Sequence, residues 1–548
     1  MLKKVIQINS LDNVLVALKD LKSGETIEHE DKSITLINEI KAKHKFTIQE
    51  IDIGEHILMY GTVVGKALKN LPAGAAITTE NIEHATNTFD AKRGSYSWKA
   101  PDVSKFTNRT FNGYHRKDGQ VGTGNYWLVI PLVFCENRNV DIIKHAFLEE
   151  LGFAKPNPFK NLVKQMKETI TISGPDKIES LSFENAANTG DSRFFDNVDG
   201  IKFLTHQGGC GGTRQDAEML CALIAGYLNN PNVAGGTILS LGCQNAQVAL
   251  LEKRLNQINP QFSKPLVILE QQKEGTETAL LTKAITKTFL GMAEANLEQR
   301  KPAPLSKLCI GLECGGSDGF SGISANPTLG HVSDILSALG GKTILAEFPE
   351  LCGVEQELIN RCEQESSAEK FAGLMKAYAG VAEKVGSGFD MNPSPGNIKD
   401  GLITDAIKSA GAAKKGGSSP IMDVLDYGEY VQKPGLNLLC TPGNDVESTT
   451  GLAGSGANII LFTTGLGTPT GNPITPVIKV SSNSELAAKM PDIIDFDTGK
   501  IITGEKSIEE SGEQLMEMII KVASGEVQPK AVILGQDDFI PWKRGVSL

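Results

Sequence analysis

The chain has 548 residues, of which 40% are hydrophobic and 22% charged, and a formal net charge of -11 at pH 7. The length indicates several domains and the composition is typical of a globular protein. The negative charge argues against non-specific binding to nucleic acid or an anionic membrane. No apolar run reaches the roughly 18 residues that span a bilayer, and the N-terminus lacks a signal peptide pattern, so a cytoplasmic location is expected.

The nine cysteines are scattered along the chain and form no CxxC pair. This spacing favours neither a disulfide framework nor a zinc ribbon. It indicates a reducing compartment with a few functional thiols.

Three regions follow one another along the chain. Short strand-like segments predict a small β-rich domain over residues 1–90, and the polar residues 91–110 predict a linker. Strands and helices then alternate, which predicts two α/β domains, 111–300 and 301–548, with mostly parallel sheets. A polar stretch, residues 154–199, is interpreted as an insertion in the first of them.

Polar, thiol or small residues follow every strand predicted in the α/β part of the chain. In open α/β sheets, ligands bind beyond the carboxyl ends of the strands. The pattern therefore predicts a site that holds a metal and a polar, anionic small molecule. The residues at these strand ends are His206, Cys210, Cys243, Glu270, Cys314 to Asp318, Glu347, Glu350, Cys352, Cys440, Asn444 and Asp445.

The most glycine-rich of these segments is Gly311 to Gly330, GLECGGSDGFSGISANPTLG. A glycine-rich turn between a strand and a helix lets backbone N–H groups approach a ligand. The segment matches neither GxxxxGK[ST] nor the dinucleotide-binding GxGxxG pattern. A lone strand-end cysteine is more often a small buried hydrophobe than a ligand. We therefore interpret Cys221 and Cys309, inside apolar runs, as core residues.

Several motifs in order resemble the altronate/galactarate dehydratase family of sugar-acid dehydratases. ECGGSDGFSGISANP, residues 313–327, is similar to the family signature. The resemblance covers nearly the whole chain and implies an N-terminal SAF-type β domain. The supporting motifs are LDNVLVAL, HKFTIQEI, YGTVVGKA, YHRKDGQVGTGN, LGCQNAQ, NPSPGN, CTPGND and TTGLGTPTGNP.

Within the family, four features resemble the altronate type rather than the galactarate type: Glu313, Gly319, PELCGVEQ and PGND. Sulfolactate sulfo-lyases share the scaffold. One departure stands out, because altronate-type members usually carry an HxHxHN run where residues 76–81 read AITTEN. If those histidines bind metal or substrate in relatives, this chain must do so with other residues, and Glu80 and His84 are the candidates.

The resemblance implies loss of water from a 2,3-dihydroxy acid to give a 2-keto-3-deoxy acid, with Fe2+, or Mn2+ in its place, as cofactor. A divalent metal stabilises the enediolate as a Lewis acid, while a base takes the C2 proton. We predict D-altronate as the substrate of this hydro-lyase. The alternatives are galactarate dehydratase, sulfolactate sulfo-lyase and, in another class, a non-enzymatic sugar-acid sensor. No macromolecular partner is implied, and a homodimer is left open.

The resemblance also guides the assignment of site residues. His44 is predicted to transfer the proton and Lys45 to bind the substrate carboxylate; the alternative is a basic pair on a surface turn. Metal ligands are expected among His206, Cys210, Cys243 and Cys314, since thiolates with an imidazole suit iron, although three thiolates equally suit an iron–sulfur cluster. The predicted substrate-binding residues are Gly315, Gly316, Ser317, Asp318, Asn326, Asn444 and Asp445.

Overall fold

The computed structural model describes residues 3–155, 157–173, 175–181 and 193–548. Part of the polar stretch 154–199 therefore lies outside the described residues. The remainder of that stretch includes a helix of 16 residues, Pro158–Ser173, in the first α/β region. Among the described helices, none is both long and apolar enough to cross a membrane.

The N-terminal module consists of short antiparallel strands, as the alternating apolar segments predict. They form three small sheets with the orders β1-β2-β5, β3-β4 and β6-β7-β8. The strands are β1 (Val5–Ile6), β2 (Val14–Ala17), β3 (Thr26–His29), β4 (Lys32–Thr35), β5 (Lys45–Thr47), β6 (His56–Met59), β7 (Thr62–Ala67) and β8 (Ile82–Glu83).

The middle region contains a four-stranded parallel sheet, β12-β11-β13-β14, and a three-stranded antiparallel sheet, β10-β9-β15. β13 is buried along its whole length, which is typical of a parallel sheet covered on both faces. The elements are β9 (Thr110–His115), β10 (Val121–Gly122), β11 (Tyr126–Pro131), α1 (Asn137–Glu150), α2 (Pro158–Ser173), β12 (Gly200–Phe203), α3 (Arg214–Asn229), β13 (Val233–Ser240), α4 (Val248–Ile258), β14 (Leu266–Glu270), α5 (Gln271–Glu274), α6 (Glu277–Ala295) and β15 (Arg300–Pro304).

The C-terminal region is built on a seven-stranded parallel sheet with the order β18-β19-β17-β16-β20-β21-β22. Its elements are β16 (Cys309–Cys314), α7 (Ala325–Ala338), β17 (Lys342–Leu345), α8 (Glu355–Arg361), α9 (Glu365–Lys384), α10 (Pro395–Lys399), α11 (Asp405–Ala412), β18 (Ile421–Leu425), β19 (Gly435–Leu439), α12 (Asp445–Gly454), β20 (Ile459–Thr464), β21 (Val477–Ser481), α13 (Ser484–Lys489), β22 (Phe496–Asp497), α14 (Gly499–Ile502), α15 (Ile508–Ala523) and α16 (Lys530–Leu534). The predicted α/β class, with a small β module before parallel sheets, is confirmed.

The N-terminal module shares a hydrophobic core with the C-terminal region. Val14 and Val64 of the module belong to the same buried cluster as Leu312 on β16 and Ile407 on α11. Burial of apolar surface contributes about 25 cal/mol per Å2, so this shared core fixes the module firmly. It holds the start of β5, with His44 and Lys45, against the C-terminal region.

Candidate functional site

Acidic and thiol side chains gather at the carboxyl ends of two central neighbouring strands. β16 ends at Cys314, and Glu347 and Glu350 follow β17, which pairs with β16 in parallel. Glu347 has a left-handed backbone, with φ of 68°, and its amide donates to Thr441 Oγ1 at 2.8 Å. This sharp turn after the strand directs the chain into the 3-10 helix Phe348–Leu351, which carries Glu350.

Two lysines complete this group, which we call the Lys415 cluster: Cys314, Glu347, Glu350, Lys408 and Lys415. Lys415 Nζ lies 2.7 Å from Cys314 Sγ and 2.7 Å from Glu347 Oε2. Lys408 Nζ lies 2.7 Å from Glu350 Oε1, and the Cys314 thiol donates to Glu350 Oε2 at 3.0 Å. All five side chains are buried.

Burial and close charges set the protonation of the cluster. Burial, reinforced by Glu347 and Glu350, raises the pKa of Cys314, so its sulfur is a neutral thiol. Burial and the neighbouring Glu350 raise the pKa of Glu347. Burial lowers the pKa of Lys415, but its acidic partners raise it more, so Lys415 stays an ammonium group. The cluster therefore holds a fixed positive charge on Lys415 next to the carboxyl groups of Glu347 and Glu350.

Two buried carboxylate oxygens beside this ammonium lack a partner among the described residues. They are Oε1 of Glu347 and Oε1 of Glu313, the residue before Cys314. The other oxygen of Glu313 accepts from Ser448 Oγ at 2.7 Å. Unpaired buried polar atoms are rare and costly, and they are typical of places where a ligand supplies the missing hydrogen bonds. A polyol offers the hydroxyl donors that these oxygens need.

The N-terminal module reaches the same glycine-rich segment through Lys43. Lys43 Nζ lies 3.1 Å from Asp318 Oδ2 and 2.9 Å from Asp400 Oδ1. The close approach requires glycine at two places, because a Cβ at Gly319 or Gly401 would lie 2.6 or 2.5 Å from the Lys43 carbonyl oxygen. This docking positions the next two residues, His44 and Lys45, beside residues 399–401.

His44 and Lys45 differ in exposure and in charge. His44 is half-buried and its Nε2 lies 3.0 Å from the Lys399 carbonyl oxygen, which can only accept, so Nε2 carries the proton. Burial lowers the pKa of His44, which favours the neutral imidazole with its lone pair on Nδ1. Lys45 is fully buried, and burial lowers its pKa to about 7 despite nearby Asp318. The pair offers a base and a titrating cation.

The segment 392–401 joins the two parts of the site. At one end Asn392 Oδ1 accepts from Lys408 Nζ at 3.0 Å, and at the other the Gly401 carbonyl accepts from Lys45 Nζ at 2.6 Å. Between them Asn397 Nδ2 donates to the Ser317 carbonyl at 2.7 Å. The NPSPGN motif and the glycine-rich segment therefore connect His44 and Lys45 with the Lys415 cluster.

The predicted substrate-binding residues divide into two sets. Asp318 accepts from Ser321, Ser482, Asn483 and Lys43; Asn326 bonds to Gly411 and Thr463; and Asn444 caps α12. These three side chains are already held by protein groups. Asp445 lies against Gly315, where an added Cβ would meet its Oδ2 at 2.2 Å, and Ser317 and Gly316 are neighbours in the same turn. Substrate contact is therefore expected from Ser317, Asp445 and the backbone of Gly315 and Gly316.

The structure does not bring the four predicted metal ligands together. His206 is buried with both ring nitrogens engaged, Nε2 with the Pro131 carbonyl at 2.6 Å and Nδ1 with the Gly208 amide at 3.0 Å. Cys210 and Cys243 are exposed in loops after the four-stranded sheet, whereas Cys314 is buried at the seven-stranded sheet. Within the described residues, Cys314 forms a close ligand group only with Glu347 and Glu350.

That Cys314 group does not fit a metal ion as it stands, because the Lys415 ammonium group already bonds to both the thiol and Glu347. A second group does fit. His84, Cys352 and Asp405 place one nitrogen, one sulfur and one oxygen within 4.8 Å of one another. This mixed donor set of imidazole, thiol and carboxyl groups suits iron and other borderline transition metals.

Lys408, Lys415 and Lys43 were not predicted from the sequence. Lys408 lies on α11 and Lys415 in the 3-10 helix Ala413–Gly416, neither at a strand end. A signal was present in AIKSAGAAKKGG, where two lysines seven positions apart lie in a small-residue segment. Such a segment packs closely enough against the central strands β16 and β17 to bury a lysine.

The comparisons with known proteins agree along most of the chain. Residues 3–85 match the model "Altronate/galactarate dehydratase SAF domain", 113–296 match "D-galactarate dehydratase/Altronate hydrolase, second domain", and 305–547 match "D-galactarate/Altronate dehydratase, C-terminal". The altronate dehydratases of Escherichia coli (strain K12) and Bacillus subtilis (strain 168) are each 34% identical to this chain. The first alignment covers 95% of this chain and 95% of the relative, and the second covers 96% of each. The galactarate dehydratase (L-threo-forming) of Escherichia coli (strain K12) is 30% identical over 95% of this chain and 93% of its own.

Proposed function

The chain belongs to the altronate/galactarate dehydratase family, and we propose that this hydro-lyase converts D-altronate into 2-keto-3-deoxy-D-gluconate. The observation that carries the proposal is the full-length likeness to two altronate dehydratases, at 34% identity compared with 30% for the galactarate dehydratase. The free cysteines, nine in all, support a reducing, cytoplasmic setting.

The reaction removes the C2 proton and the 3-hydroxyl, and the resulting enol takes a proton at C3 to become the 2-keto-3-deoxy acid. We assign removal of the C2 proton to His44 Nδ1. The Lys399 carbonyl accepts a hydrogen bond from Nε2, so the lone pair that can take a proton is on Nδ1. Lys45 as an ammonium group binds the substrate carboxylate. Ser317 and Asp445 bind the polyol hydroxyls.

The Lys415 cluster supports the second half of the reaction. Lys415 holds a proton at Nζ beside two unpaired carboxylate oxygens. A fixed cation in a buried site stabilises the negative charge that develops on the departing 3-hydroxyl. Glu347, whose pKa burial raises to about 7, supplies the proton with which that hydroxyl leaves as water, and the proton taken from C2 replaces it through solvent. We propose Fe2+ as cofactor, with Mn2+ as its substitute. When bound, the ion supplies Lewis-acid stabilisation of the enediolate oxygens.

The pH dependence of substrate capture tests the role of Lys45. Its pKa of about 7 lies below that of a free lysine, so the charged form is present below pH 7 and is lost above it. We expect kcat/KM for altronate to fall by up to tenfold per pH unit above about 7. Lys45→Met should raise KM roughly 10- to 100-fold, the value of a hydrogen bond between charged groups, and remove this pH dependence.

The control for Lys45 is Lys66→Met, since Lys66 is exposed on β7 of the same module. This variant should keep the KM and the pH profile of the wild type. A kcat/KM that stays level from pH 6 to pH 9 in the wild type, with an unchanged KM in Lys45→Met, would contradict the assignment of the substrate carboxylate to Lys45.

The substrate itself is tested by one parallel assay. Protein purified with Fe2+ under nitrogen is incubated separately with altronate, galactarate and sulfolactate, and 2-keto acid, pyruvate and sulfite are measured. The proposal expects 2-keto acid from altronate at the highest kcat/KM. Preferred turnover of galactarate, or sulfite release from sulfolactate, would instead assign the chain to one of the two enzymatic alternatives, and binding without turnover would indicate the sensor.

A further inference from the structure

Three side chains from separate segments meet where the N-terminal module joins the C-terminal region. His84 follows β8 at the end of the module, Cys352 follows the 3-10 helix Phe348–Leu351, and Asp405 is the first residue of α11. One ligating atom of each lies within 4.8 Å of the other two. This group does not overlap the four residues that the sequence indicates as metal ligands.

Two atoms of this group are buried with no hydrogen-bond partner among the residues that the structure describes. They are His84 Nδ1 and Asp405 Oδ2. The Asp405 side chain has no exposed surface, and its other oxygen, Oδ1, accepts from Ser409 Oγ at 3.4 Å. Burial of a carboxylate oxygen without a partner is disfavoured. Lys408 acts on Asp405 through its charge, but its ammonium bonds to Glu350 at 2.7 Å and to Asn392 at 3.0 Å. A bound cation would satisfy both orphaned atoms.

The spacing of the three atoms suits a small metal ion. With metal–ligand bonds of about 2.0–2.3 Å, the ligands of a tetrahedral ion lie about 3.3–3.8 Å apart. Atoms within 4.8 Å reach that spacing by small side-chain rotations. Imidazole, thiolate and carboxylate together select borderline transition metals such as Fe2+, Co2+ and Zn2+ over Mg2+ or Ca2+.

The three ligands are held by close packing between the module and the C-terminal region. A Cβ at Gly353 would lie 2.7 Å from Thr86 Cγ2, so the chain after His84 touches the chain after Cys352. Thr404, the residue before Asp405, donates from Oγ1 to the Val64 carbonyl at 2.7 Å. The docked module therefore preorganises the ligand set, which limits the ordering that metal binding would require.

The group lies near the protein surface. His84 and Cys352 are half-buried residues, whereas Asp405 is fully buried. Catalytic metal sites commonly use three protein ligands and leave the fourth position to water or substrate. Glu350 lies two residues before Cys352, and its partner Lys408 lies one helical turn after Asp405, which places the group next to the Lys415 cluster.

We propose that His84, Cys352 and Asp405 bind one divalent transition-metal ion at the junction between the N-terminal module and the C-terminal region. Its use as the Fe2+ of the dehydration rests on the proposed function, whereas binding itself does not. The carboxylate, imidazole and thiolate coordinate the ion directly, with the thiol proton released on binding.

Cobalt is a suitable probe, because Co2+ bound to a thiolate has a charge-transfer band in the near ultraviolet. The full-length protein, freed of metal with a chelator under nitrogen, is titrated with Co2+ and followed by absorption and by metal content after gel filtration. We expect one equivalent to bind tightly with this band present. Cys352→Ser should remove the band, and Asp405→Asn and His84→Ala should each weaken binding at least tenfold.

Matched variants separate this site from the other thiols. Cys314→Ser, Cys243→Ser and the exposed Cys135→Ser should retain both the band and the stoichiometry. The proposal is overturned if one of them removes the band while Cys352→Ser keeps it, or if no Co2+ binds. Asp405→Asn has nearly the shape of the native side chain, so it remains informative if Cys352→Ser fails to fold, which circular dichroism of the metal-free protein reports.

The two proposals fail in distinguishable ways. One result is that Co2+ binds tightly and depends on Cys352, but the protein does not turn over altronate. That result would support the proposed metal site and contradict the proposed function. The opposite result is that Cys352→Ser and Asp405→Asn retain full metal content and iron-dependent turnover of altronate. That result would support the proposed function and contradict the proposed metal site.

Discussion

Replacing Lys415 by methionine is expected to lower kcat for altronate by about 10²- to 10³-fold, the usual effect of removing one preorganised electrostatic group. Lys415 has almost no exposed surface and bonds at 2.7 Å to both Cys314 and Glu347. Methionine keeps much of the volume but removes the charge. KM should change much less than kcat, because the ammonium acts on charge that develops during the reaction.

The same variant has a pH-dependent stability that a purely catalytic role would not produce. Without Lys415, Glu347 is left buried beside Glu350 with no cationic partner. Breaking a buried ion pair such as Lys415–Glu347 costs up to about 3–5 kcal/mol while the carboxylate stays charged. The folded-state pKa of Glu347 is raised above its unfolded value, so stability is retained at low pH and lost as the pH rises through the folded pKa. The drop in Tm should therefore be larger at pH 8 than at pH 5.

Lys414→Met is the matched control, since Lys414 is the preceding residue and is partly exposed. It should leave kcat and the pH dependence of Tm unchanged. If Lys415→Met keeps a kcat within a factor of three of the wild type, the Lys415 cluster is a structural feature and another group must stabilise the departing hydroxyl.

Replacing His44 by alanine should lower kcat by about 10²- to 10⁴-fold, which is the usual contribution of a positioned general base. The structure gives this residue the required state, because the Lys399 carbonyl fixes the proton on Nε2 and burial keeps the ring neutral. The fold should be retained, since the side chain is half-buried and makes one hydrogen bond to a carbonyl.

Solvent exchange separates a base from a positioning residue. In D2O, the wild type should remove the C2 proton of altronate, either by exchange with deuterium or by conversion to product. His44→Ala should show neither exchange nor conversion at a measurable rate. His56→Ala changes an exposed histidine of the same module and should behave as the wild type. Normal turnover by His44→Ala would remove its assigned role and make Lys45, with a pKa of about 7, the next candidate base.

The fold class could be predicted from the sequence because the βα rhythm is periodic and the central strands, such as β13, β16 and β20, are buried along their whole length. The rule that ligands bind beyond strand carboxyl ends also indicated Cys314, Glu347 and Glu350, which the structure does bring together. These residues follow adjacent strands of one sheet, so their proximity depends on local strand pairing alone.

Other parts of the site depend on packing that no local pattern encodes. Lys415 reaches Cys314 across 101 positions of sequence, from a 3-10 helix rather than a strand end. His84 meets Cys352 and Asp405 only because the N-terminal module docks on α11. His206 follows a strand as expected, but a backbone carbonyl and an amide already satisfy its ring, which composition cannot reveal.

The proposed dehydration is tested most directly by the product formed from D-altronate in D2O by the Fe2+-loaded protein under nitrogen. We expect 2-keto-3-deoxy-D-gluconate carrying one deuterium at C3, since the enol formed after loss of the C2 proton and the 3-hydroxyl takes one solvent proton there. Nuclear magnetic resonance of the product measures that label. Altronate recovered unchanged, with its C2 proton intact, would show that the protein does not catalyse this reaction.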